Sequence, residues 1–282
     1  MTRPPTPAFL PLLDLTPSGE DVYLAPVAPE ESGHMYGGQF LAQSLAASYL
    51  TIDADRTIHS LHGYFLRPGD INVTTELRVS RIRDGRSFSS RQVSAYQAGK
   101  ELFRVMASFN VPEPSFEYAG ARKPDVPPPG SVETTYNEYC AGEDMEYTGR
   151  GRPMDILYIN PPSAPVGEPV LEDQRMWMKI VDPLPDGHHI HDPALAYLSD
   201  STLIDHVLLP EGQRWHDPLF LGVSLDHSMW FHRRVRADEW LLFDQTVEAT
   251  GDSRGLATGR FFTADGALAA TCKQEGLIRW ET

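Results

Sequence analysis

One pattern of residues occurs twice in this chain, and the distance between its two copies is nearly constant. The segment HSLHGYFLR, which begins at His59, aligns with VSLDHSMWFHR in the C-terminal half. In this alignment Phe65 and Phe231 lie 166 positions apart. The glycines of two late turn signals, Gly99 and Gly266, lie 167 positions apart. An offset this constant indicates that one structural unit has been duplicated.

Each half of the chain predicts a long helix and a series of strands. In the first half, small and apolar residues recur at helical spacing over Gly33–Leu50. In the second half, His191–Leu209 predicts a helix, with Asp192 as its N-cap and Pro193 in its first turn. Strands are predicted at Thr57–Arg67, Asn72–Arg83, Ser87–Gln97, Glu101–Asn110 and Gln174–Val181.

The stretch 222–279 predicts further strands, because apolar and polar residues alternate along it. Asp252-Ser253 supplies a turn, so the strands on either side of it should be antiparallel. In the last strand, Gln274 shares the apolar parity of Leu268 and Cys272. A primary amide on a buried face needs a hydrogen-bond partner. Gln274 therefore either bonds to the backbone of the core or orients a ligand or a water.

These patterns predict an α+β fold made of two similar units. In each unit an antiparallel sheet wraps a long helix, which is the hotdog architecture, and two such units form a double hotdog. The two sheets should join edge to edge, because unpaired strand edges invite association with other chains. Proline-rich sequence marks a connector between the units. The predicted boundaries are 1–112 for the N-terminal hotdog, 113–169 for the connector and 170–282 for the C-terminal hotdog.

Composition excludes several classes of partner. The chain has 282 residues and a formal net charge of −15, which argues against nucleic acid or an anionic membrane as its main partner. An anionic small molecule at a local basic patch remains compatible with this charge. The chain has two cysteines, Cys140 and Cys272, and no stretch that reads as a secretory signal or a membrane span. We therefore expect a reduced, cytoplasmic protein without membrane insertion.

Three polar residues stand where packing would favour apolar ones. Asp200 lies on the apolar stripe of the second predicted helix, and a buried carboxylate is costly unless it is paired or hydrogen-bonded. Ser224 begins the strand that follows this helix, and Gln274 is the amide described above. Each residue also has a purely structural alternative, such as a hydrogen bond to the backbone within the core.

Other polar clusters suggest chemistry on weaker grounds. Asp226-His227-Ser228 has the residue types of a charge-relay triad, but strand alternation places His227 on the opposite face from its neighbours. His188-His189-x-His191 lacks a spaced fourth ligand, so we expect neither a metal nor a cofactor. Arg233-Arg234-x-Arg236 is either a solvated strand end or a contact for phosphates.

Five short motifs carry a more specific resemblance. They are HSLHGYFLRPGD (59–70), YGGQ (36–39), LDHSMWFHR (225–233), EWLL (239–242) and KQEG (273–276). Together they resemble the acyl-CoA thioesterase II family over most of the chain, least so over the connector. The resemblance implies a double hotdog that hydrolyses acyl-CoA to free acid and coenzyme A. It also implies a homo-oligomer, a dimer or a tetramer.

The resemblance further implies a catalytic trio. The family's aspartate matches Asp200, its threonine or serine matches Ser224, and its glutamine matches Gln274. Asp200 would act as general base for a water that the other two residues position, so that water attacks the thioester directly. Backbone N–H groups at a helix N-terminus would hold the developing oxyanion. The first half has Ala107 or Ser108 in place of the glutamine, so we expect one working site per chain.

Two other functions stay open on the sequence alone. Hotdog hydratases of enoyl or hydroxyacyl thioesters use an aspartate with a histidine, and here Asp200 would need His206 or His227 as its partner. A non-catalytic acyl-CoA-binding protein would have a decayed site, which the intact trio disfavours.

Overall fold

The computed structural model describes residues 8–27, 34–142, 152–215 and 220–280. Within these residues, thirteen antiparallel strands form one continuous sheet, accompanied by four α-helices. Each helix of the described part falls short of the length and apolar character that a membrane crossing requires.

The elements follow the order that two helix-plus-sheet units require. The strands are β1 (Thr16–Gly19), β2 (Val22–Ala25), β3 (Thr57–Phe65), β4 (Thr75–Asp84), β5 (Phe88–Gln97), β6 (Lys100–Asn110), β7 (Met154–Tyr158), β8 (Gln174–Ile180), β9 (Phe220–Ser224), β10 (Asp226–Phe231), β11 (Leu241–Gly251), β12 (Arg254–Thr263) and β13 (Leu268–Trp280). The helices are α1 (Gly37–Tyr49), α2 (Tyr136–Gly142), α3 (His188–Ser199) and α4 (Leu203–His206). All five strands predicted before the second helix are present, within a few residues of their predicted ends.

The two halves meet where β3 pairs with β10 in antiparallel register. His62 of β3 faces Ser228 of β10, and these two residues are separated by 166 positions, the offset of the repeat. Because each residue faces its own counterpart, a pseudo-two-fold axis passes between them. The edge-to-edge join predicted from the sequence is confirmed.

Strand order confirms the duplication. Outward from the central pair, the first half runs β3-β6-β5-β4-β2 and the second half runs β10-β13-β12-β11-β8. In each half the long helix lies in sequence between the outermost of these strands and the central one. The chain is therefore a double hotdog of the α+β class, with β1 and β7 added at the two outer edges.

The two long helices, α1 and α3, pack against each other and against the sheet to form the core. Every residue of α1 from Gly38 to Ser48 is buried, which explains its many small side chains. Gly38 is needed for this close packing, because a Cβ there would lie 2.5 Å from the Tyr197 carbonyl oxygen of α3. The Tyr36 hydroxyl donates to the same carbonyl at 2.8 Å.

The turn predicted at Asp252-Ser253 and the alternation predicted along the last strand are confirmed, whereas β11 does not alternate, because all its residues from Leu241 to Gln245 are buried. Asp252 and Ser253 both have positive φ, at 52° and 54°, as both central residues of a type I′ turn require. They connect β11 to β12 in antiparallel register. Along β13, Cys272 and Gln274 are buried while Lys273 is exposed. The predicted inward direction of Gln274 is therefore correct.

The bounds predicted for the second helix, His191–Leu209, are wrong at its start. α3 begins at His188, directly after Gly187, so the three residues before the predicted start at His191 are also helical. Asp192 therefore lies inside the helix rather than at its N-cap, and its carboxylate accepts a hydrogen bond from the Tyr49 hydroxyl of α1 at 2.5 Å. Pro193 likewise lies in the helix interior rather than in the first turn.

The predicted second helix is also interrupted, since α3 ends at Ser199 and α4 is a separate short helix. Thr202, between them, has φ 71° and ψ −16°. This left-handed conformation cannot continue a right-handed helix. Apolar periodicity does not reveal the break, because Leu203 and Ile204 would be buried in a continuous helix and are also buried in the observed structure.

The connector predicted at 113–169 contains more regular structure than its prolines suggested. It includes α2 and β7, and β7 pairs with β8 at the edge of the sheet. Its proline-rich part covers the outer face of the second half, where the Trp177 indole N–H donates to the Pro127 carbonyl at 2.8 Å. Val126 and Val132 pack there against a buried cluster formed by Trp177, Leu242 and Phe262. The boundaries 1–112, 113–169 and 170–282 stay predictions.

Candidate active site

Asp200 immediately follows α3, and its carboxylate meets the first turn of α1. The backbone N–H of Gly38 donates to Asp200 Oδ2 at 2.8 Å. The N–H groups of a first helical turn have no partner within the helix and carry partial positive charge, so a carboxylate is favourable there. An aspartate of the C-terminal half is thus held by a helix of the N-terminal half.

Gln274 joins the other two predicted residues. Its side chain is fully buried, and its Nε2 donates to Asp200 Oδ1 at 2.5 Å and to Ser224 Oγ at 2.8 Å. β9 brings Ser224 alongside, because Ser224 faces Gly276 in the pairing of β9 with β13. The structure therefore gathers all three predicted side chains into one hydrogen-bonded group. The amide orientation is fixed, because the reverse would set Oε1 against a carboxylate.

The carboxyl group of Asp200 is tuned towards neutral pH. Burial raises the pKa of Asp200 from 3.8 to about 7, because a carboxylate loses hydration in the protein interior. The hydrogen bond from Gln274, the charge of Arg152 and the hydrogen bond from Gly38 oppose this rise in pKa. An aspartate with a pKa near 7 is a stronger base than usual and is still substantially ionised at neutral pH.

The glycines that begin α1 leave room for this carboxylate. A Cβ on Gly37 would lie 2.7 Å from Asp200 Oδ2 and 2.9 Å from the Phe65 ring. Beside them, the Arg152 guanidinium stacks on the Tyr36 ring at 3.8 Å from its centroid. Residues outside the trio therefore also determine the surroundings of the Asp200 carboxylate.

The N-terminal half does not repeat the trio. The register of the two halves places Leu50, Ile58 and Ala107 at the corresponding positions. Next to Ala107, the buried guanidinium of Arg91 donates to the Thr51 carbonyl at 2.8 Å and to Asp84 at 2.7 Å. This half carries a structural ion pair in that place, which supports the prediction of one working site per chain.

Among the contacts of the described residues, neither histidine considered as a partner for Asp200 touches it. His227 is fully buried, with Nε2 2.9 Å from Ser199 Oγ. His206 Nδ1 lies 2.5 Å from Gln245 Oε1. Burial lowers the pKa of His206 to about 4 and that of His227 to about 3, so both imidazoles are neutral at pH 7.

The triad interpretation of Asp226-His227-Ser228 also fails on geometry. The Glu275 backbone N–H donates to Asp226 Oδ1 at 2.9 Å, and Ser228 Oγ lies 3.1 Å from His62 Nδ1. His227 instead points into the core, as strand alternation predicted. The three side chains therefore serve three separate contacts.

The basic run and the histidine-rich segment lie at the other end of α3. Arg234 and His188 line a cavity of about 320 Å³ beside the first turn of α3, whereas Asp200 follows the last turn, about 18 Å away. Arg236 pairs with Asp238 at 2.9 Å. In the part of the chain that the structure describes, no three His, Cys, Asp or Glu side chains converge to hold a metal. A phosphate contact by the basic run stays a prediction.

Sequence reasoning missed the groups outside the trio that act on Asp200. The pair Gly37-Gly38 was the one available signal, because adjacent glycines at a helix start mark a close backbone approach. No pattern in the sequence pointed to Arg152, whose charge lowers the pKa of Asp200.

Two family models match this chain in separate regions. One, described as acyl-CoA thioesterase, matches residues 161–277, which include Asp200, Ser224 and Gln274. The other, described as acyl-CoA thioesterase N-terminal domain, matches residues 26–110. The two matched regions correspond to the two halves of the double hotdog.

Similarity to individual proteins extends over nearly the whole chain. Human acyl-coenzyme A thioesterase 8 is 34% identical over 95% of this chain and 88% of its own length. Acyl-CoA thioesterase 2 of Haemophilus influenzae is 34% identical over 87% of this chain and 88% of its own length. The crystal structure of an acyl-CoA thioesterase II, TesB2, from Mycobacterium marinum superposes with a TM-score of 0.79 at 34% identity, covering 96% of this chain and 98% of that one.

Proposed function

The chain belongs to the acyl-CoA thioesterase family, and we propose that it hydrolyses fatty acyl-CoA to free fatty acid and coenzyme A with a water molecule that Asp200 activates. The observation that carries this mechanism is the shared amide of Gln274, which bonds to both Asp200 and Ser224. A buried carboxyl group with a strongly raised pKa is typical of a functional site.

In the proposed reaction Asp200 carries one proton from water to sulfur, and a carbon–oxygen bond replaces the carbon–sulfur bond of the thioester. Ionised Asp200 accepts a proton from water while the water oxygen attacks the carbonyl carbon of the thioester. When the tetrahedral intermediate collapses, the carbon–sulfur bond breaks and its electron pair stays on sulfur. The proton on Asp200 passes to the thiolate, which leaves as coenzyme A, and the carboxylate is restored.

Ser224 and Gln274 position the water in this scheme rather than react covalently. Gln274 uses both amide hydrogens, one on Asp200 Oδ1 and one on Ser224 Oγ, so the Ser224 hydroxyl hydrogen remains available to the water. An activated serine nucleophile needs an adjacent base, and an amide is not one. In the first turn of α1 the Gly38 N–H already holds Asp200 and the Gln39 N–H bonds to the Tyr36 carbonyl, so an oxyanion would need another backbone donor at this helix start.

Adding a methyl group at Gly37 should disturb the base without unfolding the protein. We expect Gly37→Ala to lower kcat about tenfold, because the new Cβ would press on Asp200 Oδ2 and displace it from Gln274. Gly251→Ala is the matched control, since a Cβ on Gly251 would meet no atom within 4 Å. Steady-state thiol release measures both variants. Equal rates for the two would contradict the requirement for glycine beside Asp200.

We also propose that the enzyme is cytoplasmic and forms a homo-oligomer. Both cysteines are buried and free, which suits a reducing compartment.

The proposed oligomer is supported by an exposed apolar surface. On one face of three adjacent strands, Tyr64, Met106 and Trp230 are 63%, 40% and 36% exposed, and a second copy could cover them. Sedimentation equilibrium should give the mass of a dimer or tetramer, whereas a monomer at micromolar concentration would contradict the oligomer.

Release of free thiol from a panel of saturated acyl-CoAs tests the proposed function. The wild-type protein should release coenzyme A, and the panel gives its preferred chain length. No release from any acyl-CoA would contradict hydrolysis. Loss of enoyl absorbance would then separate a hydratase from a binding protein, because hydration removes the double bond without freeing a thiol.

A further inference from the structure

The turn that carries Asp200 contains an unfavourable backbone conformation. Thr202 has φ 71° and ψ −16°, a left-handed conformation that is exceptional for a β-branched residue. The apolar pattern of the sequence favours one continuous helix through this point, yet α3 stops at Ser199. Contacts from outside the helix must therefore stabilise the left-handed conformation of Thr202.

Gln245, in the buried part of β11, supplies the main contact. Its Nε2 donates to Thr202 Oγ1 at 2.6 Å, and the Thr202 hydroxyl donates in turn to the Ser201 carbonyl at 2.6 Å. Gln245 is 2% exposed and Thr202 is 5% exposed. Because both groups are buried, water cannot readily replace a lost hydrogen bond.

The Thr202 hydroxyl fixes the direction of the Gln245 amide, and His206 completes the contact. The Thr202 hydroxyl hydrogen is used on Ser201, so its oxygen must accept, and the amide NH₂ of Gln245 must face it. Gln245 Oε1 therefore faces His206 Nδ1, 2.5 Å away, which donates. The His206 backbone N–H also donates to the Thr202 carbonyl at 3.2 Å. Residues of two elements, β11 and α4, thus both hydrogen-bond to Thr202.

We propose that Gln245 is a positioning residue, which keeps Asp200 between Gly38 and Gln274 by holding Thr202 in its left-handed conformation. Without this amide the turn would relax towards the continuous helix that its sequence favours. The Asp200 carboxylate would then rotate away from the Gly38 N–H and the Gln274 amide. This inference rests on the proposed function, because Gln245 affects the reaction only through Asp200.

Gln245→Leu tests the proposal, with Gln97→Leu as a matched control. Gln97 is also a buried amide on a strand, 7% exposed, and its Nε2 donates to the Val73 carbonyl at 2.7 Å and to the Asp70 carbonyl at 2.9 Å, within the N-terminal half. We expect Gln245→Leu to lower kcat about tenfold with little change in KM, because the base is misplaced while the substrate is still held. Gln97→Leu should retain most of kcat. Equal losses of kcat in the two variants would overturn the proposal.

A second substitution separates positioning from a general structural role. Glycine adopts positive φ without steric cost, so Thr202→Gly added to Gln245→Leu should restore most of the lost kcat. A residue that only stabilised the core would not be rescued by removing another side chain. No recovery in the double variant would overturn the proposal.

Two further measurements keep the test decisive. If Gln245→Leu does not fold by circular dichroism, Thr202→Val removes the same hydrogen bond and keeps the β-branch, so it should show the same loss of kcat. Wild-type kcat in Thr202→Val would overturn the proposal. Asp200→Asn is measured in parallel: full activity there overturns the proposed mechanism and this inference together. An inactive Asp200→Asn beside a fully active Thr202→Val overturns the positioning role alone.

Discussion

Replacement of Asp200 by asparagine should lower kcat for acyl-CoA hydrolysis by about 10²- to 10⁴-fold. Asparagine has nearly the same shape as aspartate but cannot accept the proton of the attacking water. It also presents an N–H donor where the carboxylate accepts hydrogen bonds from Gly38 and Gln274. KM should change less than kcat, because Asp200 acts on the water rather than on coenzyme A. Thiol release at saturating acyl-CoA measures the loss.

Asp192→Asn is the control for this experiment. Asp192 lies inside α3, and burial raises its pKa to about 7 as well, but it bonds to Tyr49 and lies about 12 Å along the helix axis from Asp200. Its asparagine variant should keep a turnover close to that of the wild type. Similar losses in both variants would indicate damage to the fold, and full turnover in Asp200→Asn would exclude it as the base.

The double hotdog was predictable because its information is local and repeated. Strand parity and turn residues identify each strand from a few neighbouring positions. The offset of the repeat then fixes how the halves meet, since His62 pairs with Ser228, its own counterpart. What parity could not reveal is the covering of the outer face by the connector. That contact joins Pro127 to Trp177, fifty residues apart.

Asp200 and Gln274 could be singled out from the sequence for a different reason. Asp200 and Gln274 are polar residues at positions that the apolar pattern marks as buried, and the structure joins them directly. The partner that the sequence could not supply is the Gly38 N–H, 162 residues before Asp200. A backbone donor has no residue type of its own, so the pair Gly37-Gly38 indicates a close backbone approach but does not identify Asp200 as the partner.

The break after α3 was missed because tertiary hydrogen bonds overrule local preference there. Leu203 and Ile204 continue the apolar stripe of a helix, and nothing in the residue type of Thr202 signals a left-handed conformation. The amide that holds it comes from Gln245, on a strand that follows 43 residues later. Conflicts between local preference and the fold are expected at functional sites, and this one lies two residues from Asp200.

Asp200 should also impose a strong pH dependence on the rate. Burial raises its pKa to about 7, and only the ionised form can accept a proton from water. Well below this pKa the ionised fraction falls about tenfold for each pH unit, so kcat/KM at pH 5 should be about 100-fold below its plateau and about 50-fold below its value at pH 7. Above it, the carboxylate is ionised and the rate should level off.

Few neighbouring groups can imitate this titration. Burial lowers the pKa values of His206 and His227 to about 4 and about 3, below the range in which Asp200 ionises. Asp205 is the nearby acid to consider, because burial raises its pKa too. It accepts a hydrogen bond from the Tyr136 hydroxyl, and its charge affects Asp200 only by raising the pKa of that carboxyl further.

The pH dependence of kcat/KM for thiol release, measured from pH 5 to pH 9 on the wild type and on Asp192→Asn, tests most directly whether ionised Asp200 is the base. A thiol reagent that reacts at acid pH allows the whole range to be followed. We predict a limb of unit slope below about pH 7 and a plateau above it, in both proteins. A rate that is flat across this range, or a limb that disappears in Asp192→Asn, would contradict the assignment of Asp200 as the base.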